Sequence, residues 1–239
     1  MAINITTGDV INGTIALVRD NLNTSIAYVA VLSFMGLLLE WGLSQLGGAF
    51  SGTAGMPGWL ATYLGITAGL GGLLFLVVAV AANFFLWEWM LQSRGYLREG
   101  GRRFFGYIGQ AIVIALATGI GLALLIVPGL IIGARLAAAP ALLIGEKRGA
   151  MEAMGESWEM IRGNTTPIVL AYLVGVIVFV VLAGVLTGFS WTGVGTQGPI
   201  ATFLEQIVSN TATVFTVALG TYVYGQLGGA AEQVAEVFE

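Results

Sequence analysis

Apolar residues dominate six long stretches of the chain, at 25–46, 59–92, 105–127, 129–144, 166–188 and 201–227. A membrane-spanning helix needs about 20 residues at 1.5 Å each to cross about 30 Å of hydrocarbon. The first, third, fifth and sixth stretches match that length. The second is too long for a straight span and must tilt, protrude or break. Gly69-Leu70-Gly71-Gly72 is the expected breakpoint. The fourth is too short, and Pro128-Gly129 divides it from the third. Proline ends one helix and suits the first turn of the next, so a tight hairpin is expected here. Its tip either crosses the bilayer or stays within it.

Two further stretches are amphipathic and predict interfacial helices. At 5–23, Thr6-Thr7-Gly8-Asp9 resembles a capping box, with Val10, Ile11, Leu17 and Val18 on one face. At 149–163, Met151, Met154, Trp158 and Ile161 form an apolar stripe opposite Glu152, Glu156 and Glu159. Such helices lie at headgroup depth with the apolar stripe toward the acyl chains. The predicted fold is all-α: one helical bundle over residues 1–239, with about six membrane segments and two interfacial helices.

Composition agrees. Hydrophobic residues make up 57% of the chain and charged residues 9%, against about 25% charged in a soluble domain. Mean hydropathy is +0.90. The net charge of -4 excludes a nucleic-acid partner, which demands a clustered basic face. With no cysteine, neither disulfides nor thiolate metal sites exist. With no histidine, the commonest general base and metal ligand is missing. No cofactor, metal site or nucleophile constellation is indicated, and the expectation is a protein without enzymatic activity. The first ten residues lack a basic segment ahead of an apolar run, so a cleaved signal peptide is not expected.

The cations orient the bundle. With the N-terminus inside, Arg19, Arg94, Arg98, Arg102, Arg103, Lys147, Arg148 and Arg162 fall on one side. The opposite loops, GGAFSGTAGMPG and FSWTGVGTQGP, carry no charge. By the positive-inside rule both termini are cytoplasmic, in a multi-pass protein of a bacterial inner membrane. Arg94, Arg98, Arg102, Arg103, Lys147 and Arg148 are the expected contacts to anionic lipid, each attracting it by about 1 kcal/mol.

Arg135 is the exception, a charge inside the apolar run VPGLIIGARLAAAP. Counted along their segments, Glu40, Arg135 and Glu205 all lie roughly 7–10 Å below the outer surface. The expectation is a charge cluster that neutralises Arg135, either structural or around a polar cavity for an ion or headgroup. Asn83 and Glu88 belong to an inner tryptophan belt, and Gln110 and Asn210 are expected to hydrogen-bond between helices. Gly65-xxx-Gly69, Gly129-xxx-Gly133 and Gly184-xxx-Gly188 permit close helix approach, within the chain or in a homo-oligomer.

The stretch 127–163 opens with Pro-Gly before an apolar run holding one arginine. A charged turn follows, then a helix reading Glu-Ala…Ser-Trp, then Arg-Gly. It resembles the membrane domain attached to some bacterial glycerophosphodiester phosphodiesterases, and related six-helix inner-membrane proteins. The N-terminal TTGDVINGTIALVRDNL resembles their amphipathic entry helix. The resemblance implies a membrane bundle. It does not carry over the phosphodiesterase activity, because histidine and the separate catalytic domain are lacking here. The function expected is organisation of lipid or of a membrane-protein assembly through the basic cytoplasmic face. The alternative is a small transporter or channel with a polar site at Arg135, Glu40 and Glu205.

Overall fold

The computed structural model describes residues 5–51, 58–101, 103–191 and 199–237, with side chains described at 5–43, 65–101, 103–125, 127–186 and 199–228. Within these the chain is helical, with no strand. The elements are α1 (Thr7–Asp20), α2 (Leu22–Ser51), α3 (Gly58–Ser93), α4 (Phe104–Leu124), α5 (Ile126–Arg135), α6 (Ala139–Gly145), α7 (Ala150–Ile161), α8 (Thr165–Trp191) and α9 (Pro199–Val237). A single 3-10 turn, Arg162–Asn164, joins α7 to α8.

Five stretches among the described residues are long and apolar enough to cross a membrane: Leu22–Leu43, Gly65–Ser93, Phe104–Leu124, Val127–Gly145 and Ala150–Leu186. Their large apolar side chains stay outward-facing, as at Leu74, Leu116 and Val180. Water would not tolerate so continuous an apolar exterior, so the protein is membrane-embedded. The sixth expected segment, 201–227, does not reach that apolarity. It lies in α9, which packs along α1, α2, α3, α6, α7 and α8 at the centre of the bundle. Val217, Ala218, Leu219, Thr221 and Val223 are buried there. A central helix tolerates polar residues because its neighbours, not lipid, satisfy them. Asn210 illustrates this: its Nδ2 donates to Ser33 Oγ on α2 at 3.0 Å, the predicted interhelical bond.

The capping box of α1 forms as its sequence suggests. Asp9 N–H donates to Thr6 Oγ1 at 3.2 Å, and Thr6 N–H donates to Asp9 Oδ2 at 3.0 Å. The Thr6 hydroxyl, donating to Asp9 Oδ2 at 2.7 Å, and then the Thr6 N–H favour the ionised carboxylate and hold Asp9 below its usual range. Val10 and Leu17 are buried and Ile11 and Val18 half-buried, because α1 packs on α8 and α9. Its apolar face therefore meets protein as well as lipid.

The predicted break at Gly69–Gly72 does not occur. α3 runs unbroken for 36 residues, roughly 54 Å at 1.5 Å each. Glycine weakens a helix interior by only about 1 kcal/mol against alanine, and no proline interrupts the ladder. The fourth segment breaks instead. Leu125 is extended (φ -158°, ψ 136°), α5 follows, and residues 136–138 separate α5 from α6. Pro128 sits in the first turn of α5, where its missing N–H has no intrahelical role.

Close packing fixes the register of the α4–α5 hairpin. A Cβ on Gly121 would lie 2.8 Å from Gly129 Cα, and one on Gly129 would lie 2.5 Å from Leu122 N. Further along, Gly133 faces Thr118, Gln110 Nε2 donates to Ala139 O at 3.2 Å, and Gly106 faces Leu143. α4 thus runs antiparallel to both α5 and α6. Gly129 and Gly133 serve packing within the chain, whereas Cβ positions at Gly65, Gly69 and Gly184 meet nothing within 4 Å. Gly188 lies outside the residues with described side chains.

Candidate functional site: intramembrane charges and a lateral cleft

The hairpin register decides where Arg135 sits. Gly133 is level with Thr118 and Ala139 with Gln110, so Arg135 is opposite the middle of α4. It ends α5 and faces α7. Its guanidinium carbon lies 4.6 Å from the centroid of the Trp158 ring, a cation–π geometry. Ser157 Oγ donates to the Arg135 carbonyl at 2.8 Å, satisfying an acceptor at the end of α5. Arg135 Nε is buried with no hydrogen-bond partner.

The expected cluster of Glu40, Arg135 and Glu205 does not form. No ion pair joins Arg135 to a carboxylate among the described residues. The reason is depth. The close approach of Gly220 to the Ala137 carbonyl sets the level of α9 next to Arg135. Glu205 lies fifteen residues from Gly220, roughly 22 Å along the helix. Gly36 packs on Gln206, which puts Glu40 at the far end with Glu205. Counting residues from the Pro-Gly tip had assumed that α5 starts at the outer surface.

Several cations away from Arg135 are engaged within the chain. Arg94 Nη2 bonds Asp20 Oδ2 at 2.7 Å. The Arg98 amide donates to Gly145 O at 3.0 Å. Arg103 is exposed ahead of α4, and Arg102 lies outside the described residues. Lys147 adopts the left-handed region at φ 60°, in the turn between α6 and α7. Arg148 is ringed by Glu146 at 3.3 Å, Glu152 at 3.0 Å and Glu156 at 3.3 Å. Coulombic attraction from Glu156 leads the causes that raise the Arg148 pKa. Glu156 itself is raised, because burial and its two acidic neighbours outweigh Arg148. The pair is attractive, yet three carboxylates crowd one guanidinium. Tyr224 O–H donates to Glu146 Oε1 at 3.0 Å and ties the cluster to α9. Tyr224 and Glu146 are 78 residues apart, beyond any local pattern.

On α7, Ala153, Ser157 and Ile161 are buried, and the helix packs on α6, while Met154 and Trp158 are half-buried beside them and Met151 is 71% exposed. Small residues four apart at Ala153 and Ser157 were the available signal. Asn83 Oδ1 accepts from the Tyr107 hydroxyl at 3.0 Å, a contact between α3 and α4.

Two adjoining cavities open between the helices. One, of about 390 Å³, lies between α8 and α9 and is bounded by Phe179, Val180, Glu205, Ser209, Ala212 and Phe215. The other, of about 300 Å³, reaches Asn83, Tyr107 and Thr118. Tyr172 and Thr216 line both. Arg135 lines neither. Among the described residues no group of acids could hold a metal ion. No family model, curated protein or solved structure matches this chain.

Proposed function

We propose that the protein is a non-enzymatic lipid-organising protein of a bacterial inner membrane, holding an anionic phospholipid of the cytoplasmic leaflet at Arg135 and Trp158. The observation that carries the reading is a half-buried arginine in an apolar hairpin that meets an aromatic face but no carboxylate among the described residues. An intramembrane charge left without an anion costs a few kcal/mol, and a cation–π contact offsets only part of that. A lipid phosphate supplies the missing charge in a geometry suited to the guanidinium fork.

Arg135 starts level with the middle of α4. Its side chain extends to Trp158 on α7, the helix that carries Glu152, Glu156 and Glu159. Snorkelling along that helix leads the guanidinium toward the headgroups. The segment 127–163 builds this contact, and it is the segment that resembles the phosphodiesterase-linked membrane domain. The exposed basic face is a weaker candidate than its cation count suggests, because Arg94 and Arg148 are paired with acids. Transport is less well supported, since neither cavity extends to Arg135.

Native mass spectrometry from mild detergent, after equilibration with phosphatidylglycerol and phosphatidylcholine of identical chains, tests the reading. Wild-type protein should retain the anionic lipid preferentially, and Arg135→Gln should lose that preference. Equal retention of both lipids by the wild type would remove the proposal.

A further inference from the structure

The Glu205 cleft carries a second, independent site. We propose that it binds an outer-leaflet membrane lipid with an ammonium headgroup, its head at Glu205 and one acyl chain along the groove between α8 and α9.

The placement of charge is the first argument. Glu205 lies near the start of α9, half-buried at one end of the 390 Å³ cavity. No hydrogen bond or ion pair engages its carboxylate among the described residues. Glu40 is the nearest charged residue in level, because Gly36 packs on Gln206. The loops on that side contain no lysine or arginine. The field at this end of the bundle is therefore negative, with no cation in the chain to balance it. An intramembrane carboxylate so placed is complementary to a cation from outside the polypeptide.

The shape is the second argument. From Glu205 to Thr216 the cleft follows α9 for eleven residues, roughly 16 Å. Below the carboxylate its walls are mainly hydrocarbon, with Val176, Phe179 and Val180 on α8 and Val208 and Ala212 on α9, and Ser209 and Tyr172 add the polar groups. Thr216 does not make that floor polar, because its hydroxyl donates to Ala212 O at 2.9 Å. Gly175 lets the Phe215 ring pack against α8 at the floor, since a Cβ there would collide with it. The second cavity adjoins this one at Tyr172 and Thr216. One charged end above a long apolar channel, directed inward, is the outline of an amphiphile entering from the outer leaflet. The polarity excludes a phosphoglycerol head, which Glu205 would repel.

The test uses the full chain in nanodiscs with an ethanolamine phospholipid bearing a diazirine in its acyl chain. A phosphoglycerol lipid with the same labelled chain is the comparison. After irradiation and peptide mass spectrometry, ethanolamine-lipid adducts should concentrate at 172–183 and 205–216. They should exceed phosphoglycerol adducts there by roughly three- to tenfold, the ratio one half-exposed charge contact supplies. Glu205→Gln should abolish that ratio while adducts of both lipids persist. Ala212→Phe, filling the channel, should abolish adducts of both. Arg135→Gln should leave the ratio unchanged, which separates this site from the inner one. Equal labelling by the two lipids in the wild type overturns the proposal whether or not any variant folds. So does an unchanged ratio in Glu205→Gln.

Discussion

Replacing Arg135 with leucine should change both intrinsic stability and the response to anionic lipid, in opposite directions. A translocon-type scale puts an arginine at the centre of a span at about 2.5–3.5 kcal/mol. Arg135 lies at the end of α5 against α7, so that range is an upper bound. The Trp158 ring, 4.6 Å from the guanidinium carbon, offsets about 0.5–2 kcal/mol. The difference spans about 0.5–3 kcal/mol, and its middle, about 1–2 kcal/mol, is left to be balanced by an anion. For a chain of 239 residues, each kcal/mol moves the unfolding midpoint by about 2–4 °C. The assay is thermal unfolding in a neutral detergent, titrated with phosphatidylglycerol micelles or with phosphatidylcholine as control. Phosphatidylglycerol should raise the wild-type midpoint by about 2–8 °C more than phosphatidylcholine does. Arg135→Leu should show no such difference. In neutral detergent alone the variant should be as stable as the wild type or more so. An equal phosphatidylglycerol response in both proteins would refute the argument, as would severe destabilisation of the variant in neutral detergent.

Other expectations concern packing and charge. Gly220→Ala drives a methyl into the Ala137 carbonyl, between α5 and α6, and into the Trp87 ring on α3. Overpacking of this kind costs about 1–3 kcal/mol or more, measurable as a lower midpoint and reduced monodispersity. Glu156→Gln and Glu146→Gln should diverge at neutral pH. The first relieves an overfilled cluster and should be neutral or stabilising, whereas the second weakens the Tyr224 hydrogen bond to a neutral acceptor, loses the Arg148 ion pair and should be destabilising. The pH dependence follows from the raised Glu156 pKa. The folded state favours its protonated form, so its contribution is present below the ordinary glutamate pKa and is lost as pH rises through the raised value. Wild-type stability relative to Glu156→Gln should therefore fall from acid toward neutral pH in a midpoint-against-pH series. Asp20→Asn breaks a bridge to Arg94 whose side chains are 59% and 40% exposed. It should shift stability by less than about 1 kcal/mol, and less again in high salt.

Hydrophobic runs without competing charge leave little choice about solvent, and so the all-helical membrane fold was legible. The same holds for the α1 cap and for Asn210 and Gln110, since an apolar helix leaves a lone amide few partners except other helices. Depth was not legible. It depends on how far each helix starts from the bilayer edge, and only the contacts of Gly121 with Gly129 and Gly220 with Ala137 set those offsets. That error turned three residues of similar apparent depth into a triad that does not exist. The continuity of α3 across its glycines follows from the small cost of glycine inside a helix and from the absence of proline.

The chain's own order of residues determined its solvent, its helical character, the side on which cations gather and the lack of histidine or cysteine chemistry. These are properties of composition and local spacing, and no distant contact can alter them. Tertiary structure alone decided that Arg135 meets Trp158 rather than Glu205, that Glu146, Glu152 and Glu156 converge on Arg148, and that α8 and α9 part to leave a cleft below a carboxylate. Each of these depends on the relative height and rotation of packed helices, which steric fit between side chains fixes and a linear pattern does not encode.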